Sequence, residues 1–308
     1  MTMLSDAQCD WFRTHGFLVI EDVLDASILD PVRAEYTDLL NKLCAGWGIT
    51  GRGFEDKLLK AYAAGHDWFQ PMDISLPGDR ITADTPMHFG RAVFDMITAP
   101  CLLDIVEALI GPEITSNPIQ HVRIKPPEAK LDADEIRAHV GGTDWHQDRA
   151  VALEDADQTD MVTVWLAITD ATVENGCLQV VGNETRLLPH CPKKQTAIAD
   201  GLIDTSRAKP LPVKAGGAVI FHPMTPHASL PNRSNGIRWS FDLRFSVTGQ
   251  PTGRAHFPDF IARSRAHPDT ELRDWRAWKA AWEHARARLA ETPHIDIHRW
   301  SADAPACA

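Results

Sequence analysis

Apolar residues recur at helical spacing through the first third of this chain, switch to short strand-like runs near residue 113, and return to helical spacing near the end. Ser5 with Gln8 three positions later has the form of a capping box, predicting a helix through "DAQCDWFRTH" that Gly16 ends. A short strand, "FLVI", follows, then a helix over "ASILDPVRAEYTDLLNKLCAG". Residues 45–90 are ambiguous apart from a helix at "EDKLLKAYAAG". "FDMITAPCLLDIVEALIGP" reads as one more helix, stopped by Gly111 and Pro112.

From about residue 114 the runs "EITSNPIQHVRIKPP", "DMVTVWLAITDA", "GCLQVVG", "GGAVIFH" and "GIRWSFDLRFSV" are β-branched or alternating and bounded by Gly, Pro and Asn. Many short strands without helices between them predict an antiparallel sandwich or barrel rather than a βαβ sheet. In "IRWSFDLRF" the alternation puts Arg238, Ser240, Asp242 and Arg244 on one face, which suits a polar cavity better than an apolar core. Residues 251–308 are expected to be a helical extension, notably "DTELRDWRAWKAAWEHARARLAET", with Asp269 or Thr270 as the cap. Trp275, Trp278 and Trp282 make a stripe on that helix, expected to pack on the body of the protein, with a dimer interface as the other reading. No repeat or linker interrupts the chain. The expectation is one domain over 1–308: 1–112 mostly helical, 113–250 a β core, 251–308 helical.

Composition narrows the function classes. With 308 residues, 44% of them hydrophobic, the chain has material for a sizeable core. A net charge of -11 and no basic stripe argue against nucleic acid. No run of apolar residues is long enough for a membrane span, and the N-terminus lacks a signal-peptide pattern. The six cysteines are scattered without a C-x-x-C pair, which suits reduced, buried thiols and disfavours a thiolate metal site. The chain reads as a soluble, cytoplasmic protein, monomeric or homodimeric.

Three His-x-Asp triplets are present: His146/Asp148 in "WHQD", His267/Asp269 and His294/Asp296. On a strand, His146 and Asp148 would face one side and converge on one ion. The segment "FHPMTPHASLPNRSNGIRWSFD" offers His222 or His227 as a third ligand. Two imidazoles and one carboxylate make a facial triad suited to Fe(II), with three positions left open. Arg238, further along the same segment, can clamp a carboxylate through a two-pronged fork. His267/Asp269 resembles a helix start, and His294/Asp296 lies in the tail with nothing downstream to complete a site.

Taken in order, "DAQCDWFRTHGFLVIEDVL", "KPP", "WHQD", "VWLAITDATVENGCLQVVGNET", "AGGAVIFH" and "HASLPNRSNGIR" resemble the phytanoyl-CoA dioxygenase family of Fe(II)/2-oxoglutarate oxygenases, over residues 5 to 248. The resemblance implies a double-stranded β-helix, or jelly-roll, core with flanking helices. It implies a dioxygenase that consumes 2-oxoglutarate and O2 and hydroxylates a small organic substrate, or desaturates it, releasing succinate and CO2. It places the iron ligands on His146, Asp148 and His227, and the 2-oxoglutarate contacts on Arg238, Ser229, Trp165 and His121. Where the family has Gly-Asp, this chain has Gly216 and Gly217. A reading from a different class is a catalytically silent jelly-roll binding protein.

Overall fold

A computed structural model describes residues 4–78, 80–135, 137, 140–182, 184–292, 297 and 299–307. Helices α1 (Asp6–His15), α2 (Ala26–Gly46), α3 (Gly53–Ala63), α4 (Phe69–Met72), α5 (Arg91–Ile97) and α6 (Pro100–Ile110) come first, with strand β1 (Phe17–Ile20) between the first two. The strands β2 (Glu113–Lys125), β3 (Met161–Ala167), β4 (Leu178–Val180), β5 (His190–Pro192), β6 (Thr196–Ile198), β7 (Lys209–Leu211), β8 (Ala218–Phe221), β9 (His227–Ser229), β10 (Arg238–Val247) and β11 (Phe260–Ser264) follow, and helix α7 (Trp275–Ala290) comes last.

The strands form an antiparallel six-stranded sheet, in the order β1-β8-β3-β10-β2-β11, and a three-stranded sheet, β7-β4-β9, with β5 and β6 as a separate pair. This is the jelly-roll class, mainly antiparallel sheet with flanking helices, and it does not close into a barrel.

The large sheet has one apolar face and one mixed face. Register places Lys125, Arg123 and His121 of β2 beside Arg238, Ser240 and Asp242 of β10, and Asp242 and Arg244 beside Trp165 and Thr163 of β3. The alternate residues, among them Val122, Ile124, Trp239, Phe241, Leu243, Val164 and Leu166, join one apolar core with Tyr36, Leu40, Val93, Leu102 and Val106 from the helices. The period of two therefore sends one set of apolar side chains to the helices, and sends the charged ones to the space under the small sheet, where they share it with a second apolar cluster of Trp165, Val219, Phe221, Leu178 and Val180.

Local signals explain several element ends. Ser5 and Gln8 form the reciprocal capping box, and Gly16 closes α1 at φ 76°. The stretch read as one helix up to Gly111 is two, because Pro100 opens α6 and the preceding Ala99 is extended at ψ 128°. Helix α7 begins later than expected. Pro268–Thr270 is a single 3-10 turn, Leu272 N–H bonds to Ile261 O at 2.9 Å, and Asp274 is the cap, accepting from Arg276 N–H. The last stretch is not purely helical either, since β11 pairs with β2 at the sheet edge.

The tryptophan stripe packs on the body. Trp278 and Trp282 are buried against Phe89, with ring centroids 4.8 and 4.9 Å away, while Trp275 is half-buried. One cysteine expectation is overturned. Cys191 of β5 and Cys307 form a disulfide across 116 residues of sequence, a pairing that no short spacing motif announces. Cys9, Cys44 and Cys177 are buried free thiols, and Cys101 is half-buried. Among the described residues no helix is long and apolar enough to cross a membrane.

Candidate metal centre

His146 and His227 are drawn together by the backbone. Each residue's N–H donates to the other's carbonyl at 3.0 Å, an isolated β-bridge that adds one rung to β9. "WHQD" is not the continuous strand its alternation suggested. After His146 the chain leaves the ladder, because Gln147 N–H donates to His190 Nε2 at 3.0 Å and Arg149 N–H to Pro223 O at 2.9 Å. Asp148 then opens a 3-10 turn, and its carboxylate reaches the two imidazoles from the side.

The ring orientations suit a metal. His146 Nδ1 lies 2.9 Å from Asp144 O, and His227 Nδ1 lies 3.0 Å from Thr225 O. A carbonyl only accepts, so Nδ1 carries the proton in both rings and each Nε2 keeps its lone pair. Both Nε2 atoms sit 3.9 Å from Asp148, one facing Oδ1 and the other Oδ2. Candidate donor atoms of the three residues all lie within 4.8 Å of one another, and all three residues are buried. Phe221 stacks on the His227 ring at 4.4 Å.

Electrostatics hold the donors in their ligating forms. Burial, and then the neighbouring His227, push the His146 imidazole well below its ordinary value, against the pull of Asp148, so it is neutral. Burial raises Asp148, but Arg244, with His227 and His146, outweighs it and holds the carboxyl far below the usual carboxylate range. Arg244 Nη2 bonds to Asp148 Oδ1, while Oδ2 is buried with no hydrogen-bond partner. A buried carboxylate oxygen left without a donor is costly unless a cation completes it.

Arg238 shows the same incompleteness on the anion side. It is fully buried and gives Nη1 to Ser240 Oγ at 2.7 Å, while Nε and Nη2 have no partner. Burial lowers its guanidinium to about 9. Its Cζ sits 5.1 Å from the Trp165 ring centroid, and both residues line one cavity with His146, Asp148 and His227. A planar dicarboxylate placed there would find two N–H donors on Arg238 and a flat apolar wall in Trp165.

The other two expected contacts sit elsewhere. Ser229 Oγ is taken by Lys125 Nζ and by Thr143 N–H at 2.8 Å. His121 lies on the same sheet face as Asp242, but its Nδ1 meets Asp73 Oδ2 at 2.8 Å, and it lines a wider neighbouring cavity. His222 is outside the cluster, accepting Met224 N–H on Nδ1 at 3.2 Å. His267 and Asp269 are exposed, and His294 and Asp296 lie outside the described residues.

Four groups received no role from sequence reasoning: Arg244 on Asp148, Lys125 on Ser229, the Arg123–Asp242 pair, and His190 under the Gln147 amide. The alternation of β10 pointed toward Arg244. Nothing pointed to His190, whose strand lies in a stretch without a clear pattern. Gln147 and Arg149 turn their side chains to backbone groups: Gln147 to Arg186 O, Met224 O and Leu188 N–H, and Arg149 to Ala156 O and Thr159 O.

The family description "Phytanoyl-CoA dioxygenase (PhyH)" matches residues 12–240. Human peroxisomal phytanoyl-CoA dioxygenase is 23% identical over 279 residues, covering 88% of this chain and 75% of that protein. The apo structure of the non-haem monooxygenase ThoJ is similar with a TM-score of 0.61 at 21% identity, covering 92% of this chain and 98% of that one. The epimerase SnoN, solved with Fe3+, α-ketoglutarate and nogalamycin RO, gives a TM-score of 0.54 at 19% identity, covering 81% of this chain and 87% of that one.

Proposed function

The chain belongs to the phytanoyl-CoA dioxygenase family, and on that premise we propose that it hydroxylates an unactivated C–H bond of a small organic substrate while 2-oxoglutarate is converted to succinate and CO2. It is an enzyme of the 2-oxoglutarate-dependent non-haem iron class, whose cofactor set is Fe(II), 2-oxoglutarate and O2. The carrying observation is the buried cluster of His146, Asp148 and His227 beside an Arg238 guanidinium with unused donors.

Iron, when bound with its cosubstrates, supplies the oxidation of the C–H bond, coupled to decarboxylation of the oxo acid. The chain positions and insulates that chemistry. Asp144 and Thr225 carbonyls fix the tautomers of His146 and His227, so that both Nε2 lone pairs meet on the side where Asp148 brings its charge. Arg244 keeps Asp148 ionised and oriented. Arg238 offers Nε and Nη2 to the distal carboxylate of 2-oxoglutarate, and Trp165 packs along it. Phe221 and the burial of all three ligands exclude water from the reacting side. Asp148 fills a position that related halogenases leave to a small residue and a chloride, which favours hydroxylation or desaturation over halogenation.

The test is succinate formation from 2-oxoglutarate and Fe(II) by the wild type, His146→Ala and Arg238→Ala. Loss is expected in His146→Ala, and a large rise in the 2-oxoglutarate KM in Arg238→Ala. Equal turnover by all three proteins sinks the reading.

A further inference from the structure

Beside the metal cluster lies a second cavity of about 750 Å3. Asp148 lines the first cavity, and Ala150, two residues along the same turn, lines the second. His121 faces the second from the sheet position that pairs with Asp242, a lining residue of the first. The volume lies within the 300–1,000 Å3 that small-molecule sites ordinarily occupy, roughly.

Its outer wall comes from the end of the chain, beyond the residues 12–240 that match the family. Ile297 and Trp300 line it, with Phe257 and Arg254. Ile297 lies so close to Gly78 that a Cβ there would collide with it. Trp300 Nε1–H donates to Ala150 O at 2.9 Å, and its ring lies 5.2 Å from His190, which holds the Gln147 amide between the two ligand positions. Arg299 grips both oxygens of Asp157, at 2.6 and 3.0 Å, and lies over the Trp300 ring. Cys307 then ties the segment to Cys191.

The wall chemistry restricts the ligand. Phe69, Ile119, Val151, Phe257, Ile297 and Trp300 present apolar surface. The charged lining groups are already engaged: Arg137 with Glu135 at 2.7 Å and Asp67 at 3.5 Å, Asp73 with His121, and Arg254 with the carbonyls of Gly253 and Val151. Among the described lining residues, two arginines and two aspartates balance, so no cationic cluster awaits a polyphosphate.

We propose that this C-terminal strap is the specificity wall of the substrate cavity, with Trp300 selecting a compact, largely apolar molecule that carries no polyanionic carrier such as coenzyme A. The proposal rests on the oxygenase reading for the word substrate, whereas the cavity and its preference are measured by binding alone. The probe is the neutral fluorophore 1-aminoanthracene, titrated into the full-length protein with and without Fe(II) and 2-oxoglutarate under anaerobic conditions. Trp300→Ala weakens binding by about tenfold, and Cys307→Ser, which unties the strap without altering the wall, weakens it in the same direction. Methyl benzoate displaces the probe, and benzoyl-CoA at the same concentration does not. Unchanged affinity in both variants, or equal displacement by the two benzoyl compounds, overturns the proposal. If the Trp300 effect holds while succinate formation is indifferent to His146 and Arg238, the oxygenase reading fails and the cavity assignment stands.

Discussion

Single residues carry the chemistry through what their partners leave unsatisfied. Asp148 is held ionised by Arg244, yet one of its oxygens has no donor; Arg238 is fully buried, yet two of its nitrogens have no acceptor. An ion and a dicarboxylate would each complete one of these deficits. Arg244 contributes by orienting and charging a ligand it does not replace, so Arg244→Gln should weaken metal binding by about 10–100-fold. Anaerobic Fe(II) titration reads this directly, and an unchanged affinity would remove Arg244 from the site. His146, Asp148, His227 and Arg238, which line one cavity, could be singled out because their order and spacing are carried by the chain itself. Ser229 and His121 were expected at the cosubstrate, but Ser229 is occupied by Lys125, and His121 by Asp73 from a distant loop.

Elements were legible where the pattern was long. The alternation of β10 and the capping box of α1 are local properties, and both appear in the structure. Three-residue strands such as β5, β7 and β9 carry too few positions to show a period, and they exist because neighbours pair with them. The Gly216–Gly217 turn shows the same dependence on a neighbour. Gly216 has φ 86°, and a Cβ on it would meet Leu24 O; a Cβ on Gly217 would lie 2.5 Å from Val213 Cγ2, 2.8 Å from Ile20 O and 3.0 Å from Glu21 Oε2. Val213 and the end of β1 thus leave little room for a side chain at Gly217. Gly217→Asp, which restores the family's usual pair, should destabilise this chain by about 1–3 kcal/mol. The urea midpoint measures it, and a neutral result would mean that Val213 and the β1 end move aside freely.

Elements from the first and last parts of the chain are fastened to the β core between them. β1 and β11 flank the same sheet, and the Cys191–Cys307 disulfide fastens the last segment against β5. His190 sits at that junction. Burial, with Arg299 nearby, lowers its imidazole from 6.5 to about 4, against the Leu188 carbonyl. The folded value is below the unfolded one, so the unfolded chain takes up the proton first. Stability is therefore full above pH 6.5 and falls as pH drops toward about 4. Between pH 6.5 and 5 this group alone should remove about 2 kcal/mol. Denaturation of the metal-free protein at pH 7 and pH 5 checks the sign, and His190→Gln should lose less stability across that interval. An equal loss in the variant would assign the effect to other groups.

By itself the sequence determined which residue types were available at the site and in what order, together with the periodicities that sort apolar from polar faces. These are short-range or ordinal properties, so they survive without coordinates. Only the tertiary structure decided that His146 bridges to His227 while Asp148 leaves the ladder, that Arg244 and His190 stand behind this cluster, and that Ile297 and Trp300 wall the neighbouring cavity. Each joins residues tens to more than a hundred positions apart. Packing of the two sheets and the helices selects such neighbours, and no local pattern encodes them.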